Sequence, residues 1–211
     1  MSFCCVFTFV QAGQPEYKSE LFSKTRLVYE DSFDGSTLSV DFWEARQSTT
    51  WTIHDGILTG APSSKEFQEK KIASNDPSHA GLKPVIWLKK VPENFLCAMR
   101  LRYDGQGYQK GFPLLDLGHH IHTISFSEKS TTLTIKKNVE MIHAETPILK
   151  LNQWHDVVIE LRKGTLILTI DGKRHRFESK NIDMAGQAQI DFKGLNHGGC
   201  QIDEIRLWEG L

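Results

Sequence analysis

The chain has 211 residues and a formal charge of −1, with 25 Lys and Arg against 26 Asp and Glu. No Lys/Arg block stands out, so the electrostatic footprint of a nucleic-acid binder is missing. The length suits a single all-β domain of about 200 to 250 residues, able to bury roughly 70% of its unfolded surface without a disulfide framework.

Residues Met1 to Gly13 read MSFCCVFTFVQAG, an apolar run from Phe3 to Val10 that ends in small and polar residues. That pattern is expected of a trimmed export signal, which would place the mature chain outside the cytoplasm as a periplasmic, cell-surface or secreted protein. The alternative is a buried N-terminal strand. Nothing later approaches the ~18 apolar residues of a membrane span. Cys4 and Cys5 fall in this segment; Cys97 and Cys200 lie in apolar strand patterns, either paired or as buried free thiols.

From Leu27 to Leu211 the chain reads as one domain, β almost throughout. Alternating apolar residues bounded by Gly, Pro, Asn and Asp predict strands at 27–33, 42–46, 51–54, 57–59, 85–89 and 95–103. They continue at 113–117, 120–127, 131–136, 154–161, 165–171, 174–178, 188–192 and 200–208. A short helical turn is expected at 66–73. Asp171-Gly172 has the strongest short hairpin chemistry, so the strands from Trp154 to Glu178 form a meander. Long loops at 61–84 and 104–111 interrupt the pattern. The fold class that follows is an all-β antiparallel jelly-roll sandwich.

Five segments in order carry a family resemblance: Asp31–Leu38 (DSFDGSTL) followed by Trp43, Trp51–Gly60 (WTIHDGILTG) and Asn94–Arg102 (NFLCAMRLR), then Asn152–Ile159 (NQWHDVVI) with the Asp171-Gly172 turn, and Cys200–Trp208 (CQIDEIRLW). Together they resemble the 3-keto-disaccharide hydrolases, whose fold is the concanavalin A-like lectin/glucanase sandwich. In that family an Asn-Ser-Gly strand follows the long loop; Phe112–Leu117 (FPLLDL) stands in its place here. The resemblance implies a carbohydrate substrate or ligand. It also implies a chemistry in which a ketone at C3 of the sugar acidifies the C2 proton, a general base removes it, and the C1 glycosidic oxygen leaves.

The most unusual stretch is Asp116-Leu-Gly-His119-His120-Ile-His122. On a continuous strand His120 and His122 point to one face and His119 to the other. Two imidazoles at that spacing with Asp116 could hold a divalent transition metal, or His120 or His122 could serve as general base with Asp116 in support. Ile124 and Phe126 share their face, so the histidines could instead be buried and hydrogen-bonded. Arg100 and Arg102 lie on the outer face of their sheet, either lining a sugar groove or solvated, and Arg102 could stabilise developing charge. Among the tryptophans Trp87, beside the long loop, is the candidate stacking platform. Asp34 and Asp203 resemble a structural calcium position, or else a turn and a surface residue.

Ordinary glycosidases need two carboxylates about 5 to 9.5 Å apart. The Glu-x-Asp-x-x-Glu strand of sandwich glucanases is nowhere in the chain. Three readings stay open: an exported glycoside-cleaving enzyme, a non-catalytic lectin-like binding module, and a laminin-G-like adhesion domain.

Overall fold

A computed structural model describes residues 17–136 and 139–211; the export-signal expectation for 1–13 falls outside them. The strands in chain order are β1 (Thr25–Asp31), β2 (Trp43–Ala45), β3 (Thr50–His54), β4 (Ile57–Ala61), β5 (Val85–Lys89) and β6 (Phe95–Asp104). Next come β7 (Leu114–Leu117), β8 (His122–Phe126), β9 (Thr131–Ile135), β10 (Glu140–Ala144) and β11 (His155–Arg162). The last are β12 (Thr165–Ile170), β13 (Lys173–Glu178), β14 (Gln189–Lys193) and β15 (Gly199–Gly210). A helix, α1 (Lys65–Ala73), is capped by the Ser64 hydroxyl, which accepts from the Phe67 amide.

Two antiparallel sheets stack into a jelly-roll β-sandwich. Sheet A runs β13-β12-β11-β6-β15-β4-β3, with β1 also on β15, and sheet B runs β10-β9-β8-β7-β14-β5-β2. Period-2 alternation sends Phe95, Cys97, Leu101 and Tyr103 of β6 inward, to meet Leu115 and Leu117 of β7 and Ile190 and Phe192 of β14 in one core. Their polar neighbours are thereby delivered to the outer faces.

The turns follow local chemistry. Asp55-Gly56 and Asp171-Gly172 both carry positive φ at the two central residues, which makes them tight hairpin connections for β3–β4 and β12–β13. Gly60 is required by packing, because a Cβ there would lie 2.5 Å from the Trp51 ring. Glu204, at φ 52°, bulges β15 between Asp203 and Ile205. On the other edge of β15 the partner changes at that point from β4, at 200–202, to β1, from 205 onward.

The expected meander is present as β11-β12-β13. Strand β10 was not expected: only Ile142 and Ala144 of this edge strand turn toward the core, too little apolar repetition to register as a strand. Ahead of Leu27, where the sequence pattern opens the domain, residues 17–22 lie across the outer face of sheet A. Buried Glu160 of β11 holds them: its carboxylate accepts from the Tyr17 and Ser19 hydroxyls and from the Glu20 and Leu21 amides. Leu21 and Phe22 close over Ile167.

Cys97 and Cys200 are free and buried. They stand on neighbouring strands, but Cys97 is opposite Leu207 and Cys200 opposite Tyr103. Six register steps at ~3.3 Å each put them about 20 Å apart, beyond any disulfide.

Candidate functional site

The outer face of sheet B carries an unbroken row of cross-strand partners, Glu44, Trp87, Asp191, Asp116, Thr123, Thr134 and Met141. The next row on that face holds Val85, Lys193, Leu114, Ser125, Thr132 and His143. Asp191 and Lys193 reach the face because Ile190 and Phe192 between and before them take the core side. Asp116 arrives likewise between Leu115 and Leu117.

Both aspartates are buried, at 1% and 0% exposure. A buried carboxylate is tolerable only when paired and hydrogen-bonded. The Lys193 ammonium supplies the pairing for both, contacting Asp116 Oδ2 directly and lying 3.4 Å from Asp191 Oδ2. The Thr123 hydroxyl donates to the remaining oxygen of Asp116, and Gln189 Nε2 donates to that of Asp191 at 2.7 Å.

Two histidines close over this network from the β7–β8 turn. Gly118 and His120 both have positive φ, at 65° and 60°, and the resulting turn returns both rings to the sheet face. His119 Nδ1 lies 3.1 Å from Asp191 Oδ2, and His120 Nδ1 lies 3.5 Å from Asp116 Oδ2. When Nδ1–H of His119 donates to the aspartate, Nε2 is left as the basic nitrogen available to a ligand. The two rings are 4.0 Å apart, and Trp87 is 5.2 Å from His119. Burial, then the Lys193 charge, then His119 hold His120 below the usual histidine range, against an opposing pull from Asp116 and Asp191. Arg46, ion-paired with Glu44, lies with its guanidinium carbon 4.0 Å from the Trp87 ring centroid. The Trp87 indole N–H is buried with no acceptor.

Several sequence expectations are corrected by these positions. His120 and His122 do not share a face, because the 118–121 turn breaks the strand between them and β8 begins at His122. His122 points into the protein at 0% exposure, with Nε2 2.6 Å from the Asp183 carbonyl and Nδ1 unpartnered. This is the buried, hydrogen-bonded alternative for that residue. The trio Asp116, His120 and His122 is therefore not assembled as catalytic group or metal site. Among the described residues no three His, Cys, Asp or Glu side chains converge on a metal position. Between the two aspartates the place a cation would take is filled by Lys193.

Arg100 and Arg102 do lie on the outer face of sheet A, the opposite side of the sandwich from Trp87, so the three line no common groove. Arg100 pairs with Asp203 at 2.6 Å and Arg102 with Asp104 at 2.7 Å. Asp34 is close enough to Asp203 to add to the upward push that burial gives its carboxyl. The calcium pair is nonetheless not formed as expected, because Arg100 occupies the Asp203 carboxylate.

Asp191 and Lys193 were not anticipated. Their signal was an acid and a base at i, i+2 on either side of Phe192, but only the sheet order, with β14 between β5 and β7, shows what they face.

Two cavities lie away from this cluster. One of about 650 Å³, lined by Tyr108, Ser127, Glu128, Lys129 and Asn152 among others, opens at the end of the sandwich where β8 leaves the sheet. The other, about 780 Å³, is a groove on sheet A lined by Tyr17, Leu27, Leu96, Ala98, Arg100, Val158, Arg206 and Trp208 among others. At the His–Asp cluster the two histidine side chains are 43% and 54% exposed, so it opens to solvent.

No protein-family model matches the sequence, and no curated protein matches it in sequence comparison. Solved structures do match in fold. A GlcNAcα1-4Gal-releasing endo-β-galactosidase from Clostridium perfringens superposes with TM-score 0.63 at 12% identity, over 93% of this chain and 66% of that one. SCLam, a non-specific endo-β-1,3(4)-glucanase of family GH16, gives 0.61 at 12% identity over 90% and 92%. The cellulose-induced protein Cip1 gives 0.60 at 11% identity over 85% and 96%. At such identities the likeness shows the fold alone, the antiparallel jelly-roll β-sandwich that these proteins share with this chain. None of the described helices is long and apolar enough to cross a membrane.

Proposed function

We propose that this chain is an exported carbohydrate-active sandwich domain that cleaves 3-keto-glycosides on the outer face of sheet B. The carrying observation is the His119–Asp191 dyad beside Trp87. A buried carboxylate fixes one imidazole nitrogen, and the other is free to take a proton. The glycosidase and glucanase neighbours support the coarser part, a fold suited to sugars; the 3-keto chemistry rests on the family resemblance and on the dyad.

In this reading Trp87 seats the sugar ring, and His119 Nε2 removes the C2 proton acidified by the C3 ketone. The electron pair forms the C1–C2 double bond as the C1–oxygen bond breaks, and the departing alcohol takes up a proton. The half-exposed Arg46 guanidinium beside the Trp87 ring can turn from Glu44 toward the charge that develops on the ketone oxygen, whereas Lys193 is committed to the two aspartates. Double displacement at C1 is disfavoured by the same geometry, because Asp116 and Asp191 are both engaged by Lys193 and almost wholly buried.

Purified protein is incubated with a panel of 3-keto-glucosides and their unoxidised parents, with and without EDTA, and products are read by mass spectrometry. The reading expects release of the aglycone from the 3-keto members alone, abolished in His119→Ala. Loss of turnover in EDTA would move the role of charge stabiliser from Arg46 to a divalent ion. Glycan binding without cleavage of any member would leave a lectin-like module.

A further inference from the structure

Among the described residues, the cations around the dyad on the outer face of sheet B are paired with one exception. Arg46 pairs with Glu44, Lys89 lies 3.8 Å from Glu44 and donates to the Val40 carbonyl, and Lys193 holds the two aspartates. Lys83 is half-buried and, among the described residues, has neither a carboxylate partner nor a side-chain hydrogen bond. Its ammonium lies 4.5 Å from the Phe112 ring centroid. Register fixes where this is. Lys83 is two residues before Val85, Phe112 is two before Leu114, and Val85 and Leu114 flank Lys193 across the sheet. Lys83 therefore stands one row beyond Lys193 and two rows, about 13 Å, from the row that holds Trp87 and Asp191. Burial, followed by repulsion from Lys193, disfavours its charge. A cation held in this position without a counter-ion costs stability that an incoming anion would return.

We propose that Lys83 is the recognition point for an anionic substituent on the sugar, a uronate carboxylate or a sulfate ester, so that the preferred ligands are acidic oligosaccharides. This rests on the carbohydrate reading of the same face. The ammonium is positioned to pair with an acid group on a sugar unit next to the one seated on Trp87.

The test uses matched oligosaccharides that differ only in one position: neutral, carboxylated, and sulfated. Binding is measured by calorimetry at two salt concentrations for the wild type, Lys83→Met and Lys83→Arg. Methionine keeps the aliphatic contact with Phe112 and removes the charge; arginine keeps both. An acid preference of about ten- to a hundredfold is expected, consistent with one charged hydrogen bond. It should weaken with salt, persist in K83R and vanish in K83M while neutral binding is retained. The two acidic arms separate carboxylate from sulfate. Equal binding of neutral and acidic sugars, or an acid preference that survives in K83M, overturns the role of Lys83 and leaves the carbohydrate reading standing. Absence of any glycan binding by the wild type removes both.

Discussion

Asp116 and Asp191 stand directly opposite each other on β7 and β14, both almost fully buried. Adjacent carboxylates repel, so the arrangement exists only because the Lys193 ammonium touches both. Removing that ammonium should be far more damaging than removing a surface charge. Lys193→Met is expected to lose about 3–5 kcal/mol, the usual consequence of stranding buried charge. Urea denaturation of wild type and variant reads the loss; a deficit below about 1 kcal/mol, the range of an exposed ion pair, would mean that the ammonium is not what holds the two carboxylates in place.

His119 differs in kind, since its side chain is 43% exposed. His119→Ala should change stability by about 0.5 kcal/mol or less. If its Nε2 is the general base, turnover of a cleaved 3-keto-glycoside falls by about 10²–10⁴. The bland role for His119, a ring covering Asp191, predicts the reverse: a stability loss with turnover per folded molecule unchanged. Measuring melting temperature and kcat on the same preparation separates the two.

The fold was legible because strand alternation and Asp-Gly turns are local properties. The site was legible only in part. Asp116, His120 and Trp87 could be picked out as unusual residue types, but their partners Asp191 and Lys193 come from a strand about 75 residues later, and no local pattern reveals that β14 lies between β5 and β7. His122 misled for a related reason. Spacing of two puts residues on one face only where the strand is continuous, and the positive φ at His120 ends that continuity. The arginines were assigned to an outer face correctly, yet a sandwich has two outer faces and periodicity does not say which.

Glu160 offers a test of how the N-terminal stretch is held. Its carboxylate accepts from two hydroxyls and two amides of residues 17–21, and Arg162 adds a bond to the Leu21 carbonyl. Glutamine would turn an amide group toward those donors. Glu160→Gln is expected to cost about 1–3 kcal/mol and to speed amide exchange at Glu20 and Leu21 while leaving β7 and β14 protected. Hydrogen exchange read by mass spectrometry checks this, and uniform acceleration across both sheets would show that the segment is not an independent clasp.

His122 should make the fold acid-sensitive. Burial above all holds its pKa below the ordinary value of about 6.5, opposed by the Asp183 carbonyl and aspartate. The folded state therefore binds this proton less readily than the unfolded chain does. Stability from this group is fully present above the unfolded pKa and is lost as the pH falls through the folded one. Wild-type protein should lose melting temperature between pH 7 and pH 5, although His120, whose pKa is depressed too, adds to the slope in the same direction. The two are separable by position. His120→Asn removes a half-exposed ring, whereas His122→Gln removes one at the core. The glutamine variant should be less stable at pH 7, because it disturbs the contact with Asp183, yet flatter with pH than either wild type or the His120 variant. Thermal melts of the three proteins across that interval decide it, and a slope unchanged by His122→Gln would place the acid sensitivity elsewhere.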